Sequence, residues 1–203
     1  MMIWKMFVKG GPIMWPLLLT SLISMSVVFE RVLFTLRERR SRRPKTIEKI
    51  LNSIERGDIN AALKSGEHST DFVVRVLVYG LQHREKGFTN ALLRQANQEL
   101  KRFSQGLTIL DTTITLAPLL GLLGTVTGMI RAFGLLGNSE LEAPAVITGG
   151  IAEALIATAF GLGIALVALI PFNYLTGRLE EARHEIEDAS THLELALRKP
   201  DGV

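Results

Sequence analysis

Three polar side chains stand inside long apolar stretches of this chain, and their types and spacing point to ion chemistry. Thr125 lies in GLLGTVTG at residues 121–128, and Glu153 and Thr158 lie in GGIAEALIATAFGLG at residues 149–163. A carboxylate inside an apolar stretch is costly to place in a membrane, so such residues usually handle ions or fix helix packing. A threonine hydroxyl can coordinate an ion or relay a proton, but it holds no charge at neutral pH.

The stretches that hold these side chains are long enough to cross a bilayer. Residues 10–29 and 112–130 contain no charged residue, and residues 143–177 contain only Glu153. A membrane-spanning helix needs about 20 mostly apolar residues. The chain of 203 residues is 47% hydrophobic with a mean hydropathy of +0.26, which is too apolar for an ordinary soluble domain. The sequence therefore predicts three transmembrane helices rather than the buried core helices of a soluble protein.

Basic residues predict how these helices are oriented. The stretch after the first apolar segment carries seven of them: Arg37, Arg39, Arg40, Arg42, Arg43, Lys45 and Lys49. The connection after the second segment has two acids, Glu140 and Glu142, and no basic residue. Cytoplasmic loops are rich in Lys and Arg, so the first stretch is predicted to be cytoplasmic and the connection periplasmic. The predicted boundaries are a periplasmic segment at 1–9, transmembrane helices at 10–36, 107–135 and 145–175, cytoplasmic parts at 37–106 and 176–203, and a periplasmic turn at 136–144.

The predicted cytoplasmic parts have helical signals throughout. Asp58 and Asp71 precede apolar periodic runs and are expected to cap helices at 59–64 and 72–84. A further helix is expected to start at Thr89 and to run straight into the second transmembrane segment. The third segment is also expected to continue as a helix, with an apolar stripe at Leu179, Ile186, Leu193 and Leu197. The predicted fold is an all-α membrane protein whose second and third helices extend into a cytoplasmic helical bundle.

Small residues recur along the second and third transmembrane segments. Gly121, Gly124 and Gly128 follow one another at three- and four-residue spacing, and Gly161 lies in the third segment. Small residues at this spacing let helix backbones approach closely in a membrane. So much close-packing surface on one chain predicts a homo-oligomer.

Depth in the membrane relates the three polar side chains to one another. At 1.5 Å per residue, Thr125 and Thr158 each lie about 3 Å to the outer side of the bilayer centre, and Glu153 about 10 Å. The two hydroxyls form a polar constriction in a pore, or each binds its own i−4 carbonyl. Glu153 stands at a pore mouth or bonds across a helix interface. Arg131 pairs with Glu153 or reaches the headgroups.

Other functions find no support in the sequence. The chain has no cysteine, its four histidines have no ligand-like spacing, and no nucleophile–base pair is recognisable, so neither an enzyme nor a metal or cofactor site is predicted. GLLGTVTG lacks the lysine of a phosphate-binding loop. The basic cluster beside an apolar segment is explained by topology and lipid headgroups better than by nucleic acid. Threonine holds no charge, and no Asp or Glu of the chain is expected near the level of Thr125 and Thr158. If ions cross here, the titrating carboxylate at mid-membrane is therefore expected to come from a partner subunit.

Three stretches carry a family resemblance: GGPIMWPLLLTSL at 10–22, APLLGLLGTVTGMI at 117–130 and GGIAEALIATAFGLGIA at 149–165. Together they make the chain resemble the ExbB/TolQ/MotA family of proton-channel motor subunits, and most of all its ExbB branch. Three membrane segments favour the ExbB/TolQ branch over the four-span flagellar branch. By this resemblance, the functional Thr, Glu and Thr of the family correspond to Thr125, Glu153 and Thr158.

The resemblance implies a pentamer in the bacterial inner membrane whose second and third spans line a central pore. The pore would hold an ExbD-like or TolR-like single-span subunit with an essential Asp, which works with a TonB-like or TolA-like protein. The expected function is a pore subunit that uses the proton-motive force to energise TonB-dependent outer-membrane uptake. The alternatives are a TolQ-like subunit for envelope maintenance, a passive oligomeric scaffold and an autonomous channel. The coupling ion, proton or sodium, stays open.

Overall fold

The computed structural model describes the backbone of residues 2–136 and 143–198 and the side chains of residues 6–85, 87–134 and 148–197. All regular elements in these ranges are helical. They are α1 (Met2–Lys9), α2 (Met14–Ser41), α3 (Pro44–Glu55), α4 (Ile59–Gly66), α5 (Phe72–Gln82), a 3₁₀ turn (Arg84–Lys86), α6 (Phe88–Ser104), α7 (Leu107–Leu136) and α8 (Ala143–Arg198). The predicted turn at 136–144 falls largely on residues 137–142, which lie outside the described residues.

The chain divides into two compact units. Met1–Arg31 and Gly106–Tyr174 form the first, termed here the membrane unit, and Val32–Gln105 and Leu175–Val203 form the second, termed the bundle unit. The membrane unit holds the polar residues Thr125, Glu153 and Thr158. The bundle unit holds helices α3 to α6 and the C-terminal ends of α2 and α8.

Three helices carry apolar segments long enough to span a membrane. The candidate spans lie in α2, α7 and α8, with mean hydropathies of 1.8, 1.7 and 2.4 over their most apolar windows. Large apolar side chains on these helices are exposed, among them Leu19, Leu122 and Ile170, the last of which is 75% exposed. Helices that are apolar all round need a lipid or protein environment. The prediction of an all-helical protein with three membrane segments is thus confirmed, and the chain is a multi-pass membrane protein.

The expected continuous helix from Thr89 through the second membrane segment is wrong. Helix α6 begins one residue earlier, after Gly87 at φ +125°, and ends at Ser104. Gln105 is extended with ψ 136°, Gly106 has φ +78°, and α7 begins only at Leu107. Gly106 also lies close to α2, since a Cβ atom at this position would stand 2.7 Å from Cγ1 of Val27. A left-handed glycine pressed against a neighbouring helix cannot be part of a regular α-helix.

The third membrane segment does continue without interruption. Helix α8 contains 56 residues, which corresponds to a length of about 84 Å. The stripe predicted on its distal part lies on the packed side of the bundle unit: Ile186 and Leu193 are buried, and Leu179 and Leu197 pack against the same core. The opposite residues are charged, so this part of α8 is amphipathic.

Both predicted helix caps are present. The Asp58 carboxylate accepts a hydrogen bond from the Ala61 backbone N–H at 2.9 Å and starts α4. The Asp71 carboxylate accepts from the Val73 backbone N–H at 2.9 Å and starts α5, which ends two residues before its predicted end at 84. A side-chain oxygen at this position satisfies a backbone donor that the helix itself leaves without an acceptor.

Asp71 is more than a cap, because its carboxylate is completely buried at the centre of a polar network. Arg42 Nη1 donates to Asp71 Oδ1 at 2.7 Å, and the Arg43 backbone N–H donates to Oδ2 at 2.6 Å. Arg42 also pairs with Glu185 of α8, and its guanidinium lies 4.6 Å from the ring centre of Phe72. The Asp71 carboxylate thus links the residues that follow α2 to the start of α5, and Arg42 links both to α8.

Replacing Asp71 tests the weight of this network. Asp71→Ala leaves Arg42 without its buried partner and removes the cap of α5, so we expect a loss of about 3–5 kcal/mol in the free energy of unfolding. Asp58→Ala is the matched control, because Asp58 caps a helix in the same unit but is exposed; its loss is expected to be about 1 kcal/mol. Unfolding of both variants in detergent measures the difference. Equal losses would contradict the central role of Asp71.

Candidate functional site

Helices α7 and α8 pack against each other through backbone atoms. A Cβ atom at Gly161 would stand 2.5 Å from the Ala117 carbonyl oxygen and 3.1 Å from the Gly121 Cα. A Cβ atom at Gly121 would stand 3.0 Å from the Thr158 Cα. A Cβ atom at Gly161 would require a shift of the helices, and one at Gly121 would be tighter than most Cβ contacts with backbone atoms. The observed helix separation therefore requires glycine at 161 and favours it at 121.

The two other glycines of the predicted packing set face the same helix. A Cβ atom at Gly124 would stand 2.5 Å from the Ala157 Cβ, and one at Gly128 would stand 3.1 Å from the Ala154 Cβ. Higher residue numbers on α7 contact lower residue numbers on α8, so the two helices are antiparallel. All four glycines named from the sequence thus lie in one α7–α8 interface.

Thr158 lies in this interface and bonds to the neighbouring helix. Its Oγ1 donates to the Gly121 carbonyl oxygen at 3.0 Å, and its side chain is half-buried. The alternative that Thr158 binds the carbonyl four residues earlier on its own helix is therefore wrong. The bond is possible because Gly121 and Gly161 let the backbones come close.

Thr125 behaves differently. Its Oγ1 donates at 2.6 Å to the Leu122 carbonyl oxygen, which belongs to its own helix. Thr158 lies opposite Gly121 and Ala157 lies opposite Gly124, so Thr125 stands about 3–6 Å further along the helix axis than Thr158. Each hydroxyl donates to a different backbone carbonyl. Thr125 borders a shallow apolar depression of about 590 Å³ that is lined by Val126, Met129, Ile130 and Phe133.

Glu153 bonds across the interface rather than within α8. Arg131 Nη1 of α7 lies 3.0 Å from Glu153 Oε1. Of the two alternatives for Arg131, pairing with Glu153 or reaching the headgroups, the structure has the ion pair. The Glu153 side chain is 27% exposed and that of Arg131 is 52% exposed. The same oxygen also lies beside Gly11, in the turn between α1 and α2. The structure thus brings Glu153 together with Arg131 and Gly11, and it brings Thr158 together with Gly121.

The sequence patterns do not predict a role for Gly11. The only local signal is the Gly10–Gly11–Pro12 tripeptide, which is typical of a turn but does not reveal what the turn contacts. No group of three or more His, Asp or Glu side chains is arranged to hold a metal ion among the described side chains, which are those of residues 6–85, 87–134 and 148–197.

Comparison with known proteins agrees with the resemblance seen in the motifs. A family model described as the MotA/TolQ/ExbB proton channel family matches residues 62–188, which include all three polar side chains. The putative biopolymer transport protein ExbB-like 1 of Synechocystis sp. is 36% identical over 201 residues, covering 95% of this chain and 78% of that protein. ExbB-like 3 of the same organism is 31% identical, covering 94% and 92%. The Tol-Pal system protein TolQ of Haemophilus influenzae is 36% identical over 94 residues, covering 46% and 41%.

A pair of glycines two residues apart on α8 tests the packing of the interface. Gly161→Ala places a methyl group against the Ala117 carbonyl, and we expect it to lower the free energy of unfolding by about 1–3 kcal/mol. Gly163→Ala is the control, because no heavy atom lies within 4 Å of a Cβ atom there. Alanine favours helix over glycine, so the control is expected to be neutral or to gain up to about 1 kcal/mol. Unfolding in detergent measures both changes in the free energy of unfolding. If both variants were destabilised, or both stabilised, the result would contradict the interface.

Proposed function

The chain belongs to the MotA/TolQ/ExbB proton channel family, and from this membership we propose that it is the pore-forming subunit of a motor in a bacterial inner membrane. The motor is driven by the proton-motive force and energises TonB-dependent uptake across the outer membrane. The observation that carries the proposal is the Thr158 hydroxyl held against the Gly121 carbonyl, in the middle of two apolar helices packed through glycine. A hydroxyl fixed at this depth can take part in ion transfer.

We propose that Thr125, Thr158 and Glu153 mark the ion pathway. Each hydroxyl donates its proton to a carbonyl oxygen and keeps acceptor lone pairs for a hydrated proton or a cation. Glu153 is the one acid of this set, and it is already paired with Arg131. By its resemblance to the family, we propose that the group that takes up and releases the transported ion is an Asp on a single-span ExbD-like or TolR-like partner. In this role the partner supplies charge, and the present chain supplies the polar contacts.

An exposed polar face on α7 supports the placement of such a partner. Asp111, Thr112 and Thr115 are exposed near the start of α7. Further along the helix the same face becomes apolar, with the exposed Leu119 and Leu122. A face that includes a carboxylate is costly against lipid, so it belongs inside an assembly or against water. We propose that it lines the pore of a homo-oligomer, a pentamer as in the family, with the partner helix inside.

Exposed cations support the proposed orientation. Six of the seven basic residues after the apolar part of α2 are exposed: Arg37, Arg39, Arg40, Arg43, Lys45 and Lys49. The first three directly follow the apolar part on the same helix, which is where anionic lipid headgroups would meet them. This arrangement favours a cytoplasmic bundle unit with a periplasmic N-terminus.

The energy available is adequate for mechanical work. Each charge that crosses the membrane releases about 2.3 kcal/mol per 100 mV, so several protons together can drive a rotation of the oligomer around the partner. We prefer an ExbB-like role to a TolQ-like one because the two relatives that cover more than nine tenths of the chain are named ExbB-like. Coverage alone does not separate the branches, since a relative named ExbB covers 38% of the chain and the TolQ relative covers 46%. A TonB-like protein would carry the work to the outer membrane.

Loss of one hydroxyl tests the pathway. In liposomes that contain the chain with its single-span partner, Thr158→Val keeps the shape of the side chain but not its hydroxyl. We expect proton flux to fall by about tenfold or more, which corresponds to about 1.4 kcal/mol. Thr158→Ser should keep most of the flux. Thr127→Val is the control, because Thr127 is outside the proposed pathway and its hydroxyl, unlike that of Thr158, binds carbonyls of its own helix.

The outcomes separate the competing functions. Normal flux in Thr158→Val with normal assembly would contradict the pathway, and failed assembly would favour a passive scaffold. Flux through the wild-type chain without any partner would favour an autonomous channel. Flux that follows a sodium gradient instead of a pH gradient would identify sodium as the coupling ion. A neighbouring gene for a short protein with one Asp-bearing span would identify the partner.

A further inference from the structure

The turn between α1 and α2 packs on α8 in the membrane unit. Gly11 has φ +74°, its carbonyl accepts from the Met14 N–H at 3.2 Å, and Met14 is almost completely buried. A Cβ atom at Gly10 would stand 3.1 Å from Cγ2 of Ile156. The turn is therefore held by α2 on one side and lies against α8 on the other.

The Glu153 carboxylate occupies the space that a side chain at residue 11 would need. A Cβ atom at Gly11 would overlap Glu153 Oε1 and would stand 2.8 Å from its Cδ and 3.2 Å from its Cγ. Glycine is favoured at this position by its left-handed backbone, and a Cβ atom would in addition displace the end of the Glu153 side chain from its observed place. The second effect involves a residue 142 positions away in sequence.

The same carboxylate oxygen faces Arg131 of α7. Arg131 Nη1 lies 3.0 Å from Oε1, so this oxygen lies beside both the guanidinium and the turn. A carboxylate that contacts a backbone and a cation has fewer rotamers open to it than a free side chain. The turn and Arg131 thus both restrict the position of the Glu153 charge.

We propose that the 10–12 turn is a positioning element for Glu153, with Gly11 as the positioning residue. Gly11 does not touch the ion; it acts by leaving room for the Glu153 carboxylate beside Arg131. The inference rests on the proposed function, because it matters to ion transfer only if Glu153 does. It adds a role for the N-terminal helix α1 and its turn, since moving the turn would release the carboxylate.

Two glycines with the same backbone conformation provide the test. Gly57 has φ +75° and no heavy atom within 4 Å of a Cβ atom, whereas Gly11 has φ +74° and the carboxylate. Gly57→Ala thus carries the left-handed strain alone, and proton flux with the partner is expected to stay within about twofold of wild type. Gly11→Ala is expected to reduce the flux by roughly tenfold or more, because a shift of about 1 Å in a functional group costs up to ~100-fold.

Double variants distinguish a contact with Glu153 from a general fault in folding. Gly11→Ala combined with Glu153→Asp, whose carboxylate is retracted by one methylene group, is expected to lose no more flux than Glu153→Asp alone. If Gly11→Ala fails to assemble, Gly11→Ala with Glu153→Ala is expected to assemble, because the overlap is gone. Additive losses in the first pair, or failed assembly in the second, would overturn the inference.

The failure of the inference and that of the proposed function give different results. If Glu153→Gln abolishes flux and Gly11→Ala matches Gly57→Ala, the positioning role is wrong and the pathway stands. If Glu153→Gln transports protons like the wild type, the role of Glu153 in the pathway is wrong, and the positioning role is overturned with it.

Discussion

The close backbone contact between α7 and α8 is the constraint on which the rest of the membrane unit depends. Gly161 against the Ala117 carbonyl leaves no room for a side chain, and Gly121 against Thr158 leaves little. This separation lets the Thr158 hydroxyl reach a carbonyl on the other helix. It also sets the register that brings Arg131 opposite Glu153. In lipid, where apolar surfaces gain little by meeting each other, packing of this closeness is a main source of helix association.

Much of the fold could be predicted because it follows from local patterns. Apolar length gave the three membrane segments, and the caps at Asp58 and Asp71 followed from the residue before each periodic run. The break between α6 and α7 was missed for a physical reason. Glycine inside a helix costs only about 1 kcal/mol, so Gly106 alone does not reveal its left-handed backbone or its contact with Val27.

The candidate site was predictable in its residues but not in its bonds. Helical rise alone places Thr125 and Thr158 near one depth. Which carbonyl each hydroxyl binds depends on the register between helices, which sequence periodicity does not contain. The bonding of Glu153 was open for the same reason, and its contact with Gly11 joins residues that are 142 positions apart. Such contacts are products of tertiary packing and have no local signature.

The carbonyl oxygen of Gly121 has a further consequence. In an α-helix this oxygen accepts the N–H of the residue four positions later, which here is Thr125. It also accepts the Thr158 hydroxyl. One oxygen atom is thus shared between the backbone of one threonine and the side chain of the other, and hydrogen bonds that share an atom polarise one another. A reorientation of the Thr158 hydroxyl therefore changes the strength of the backbone hydrogen bond of Thr125.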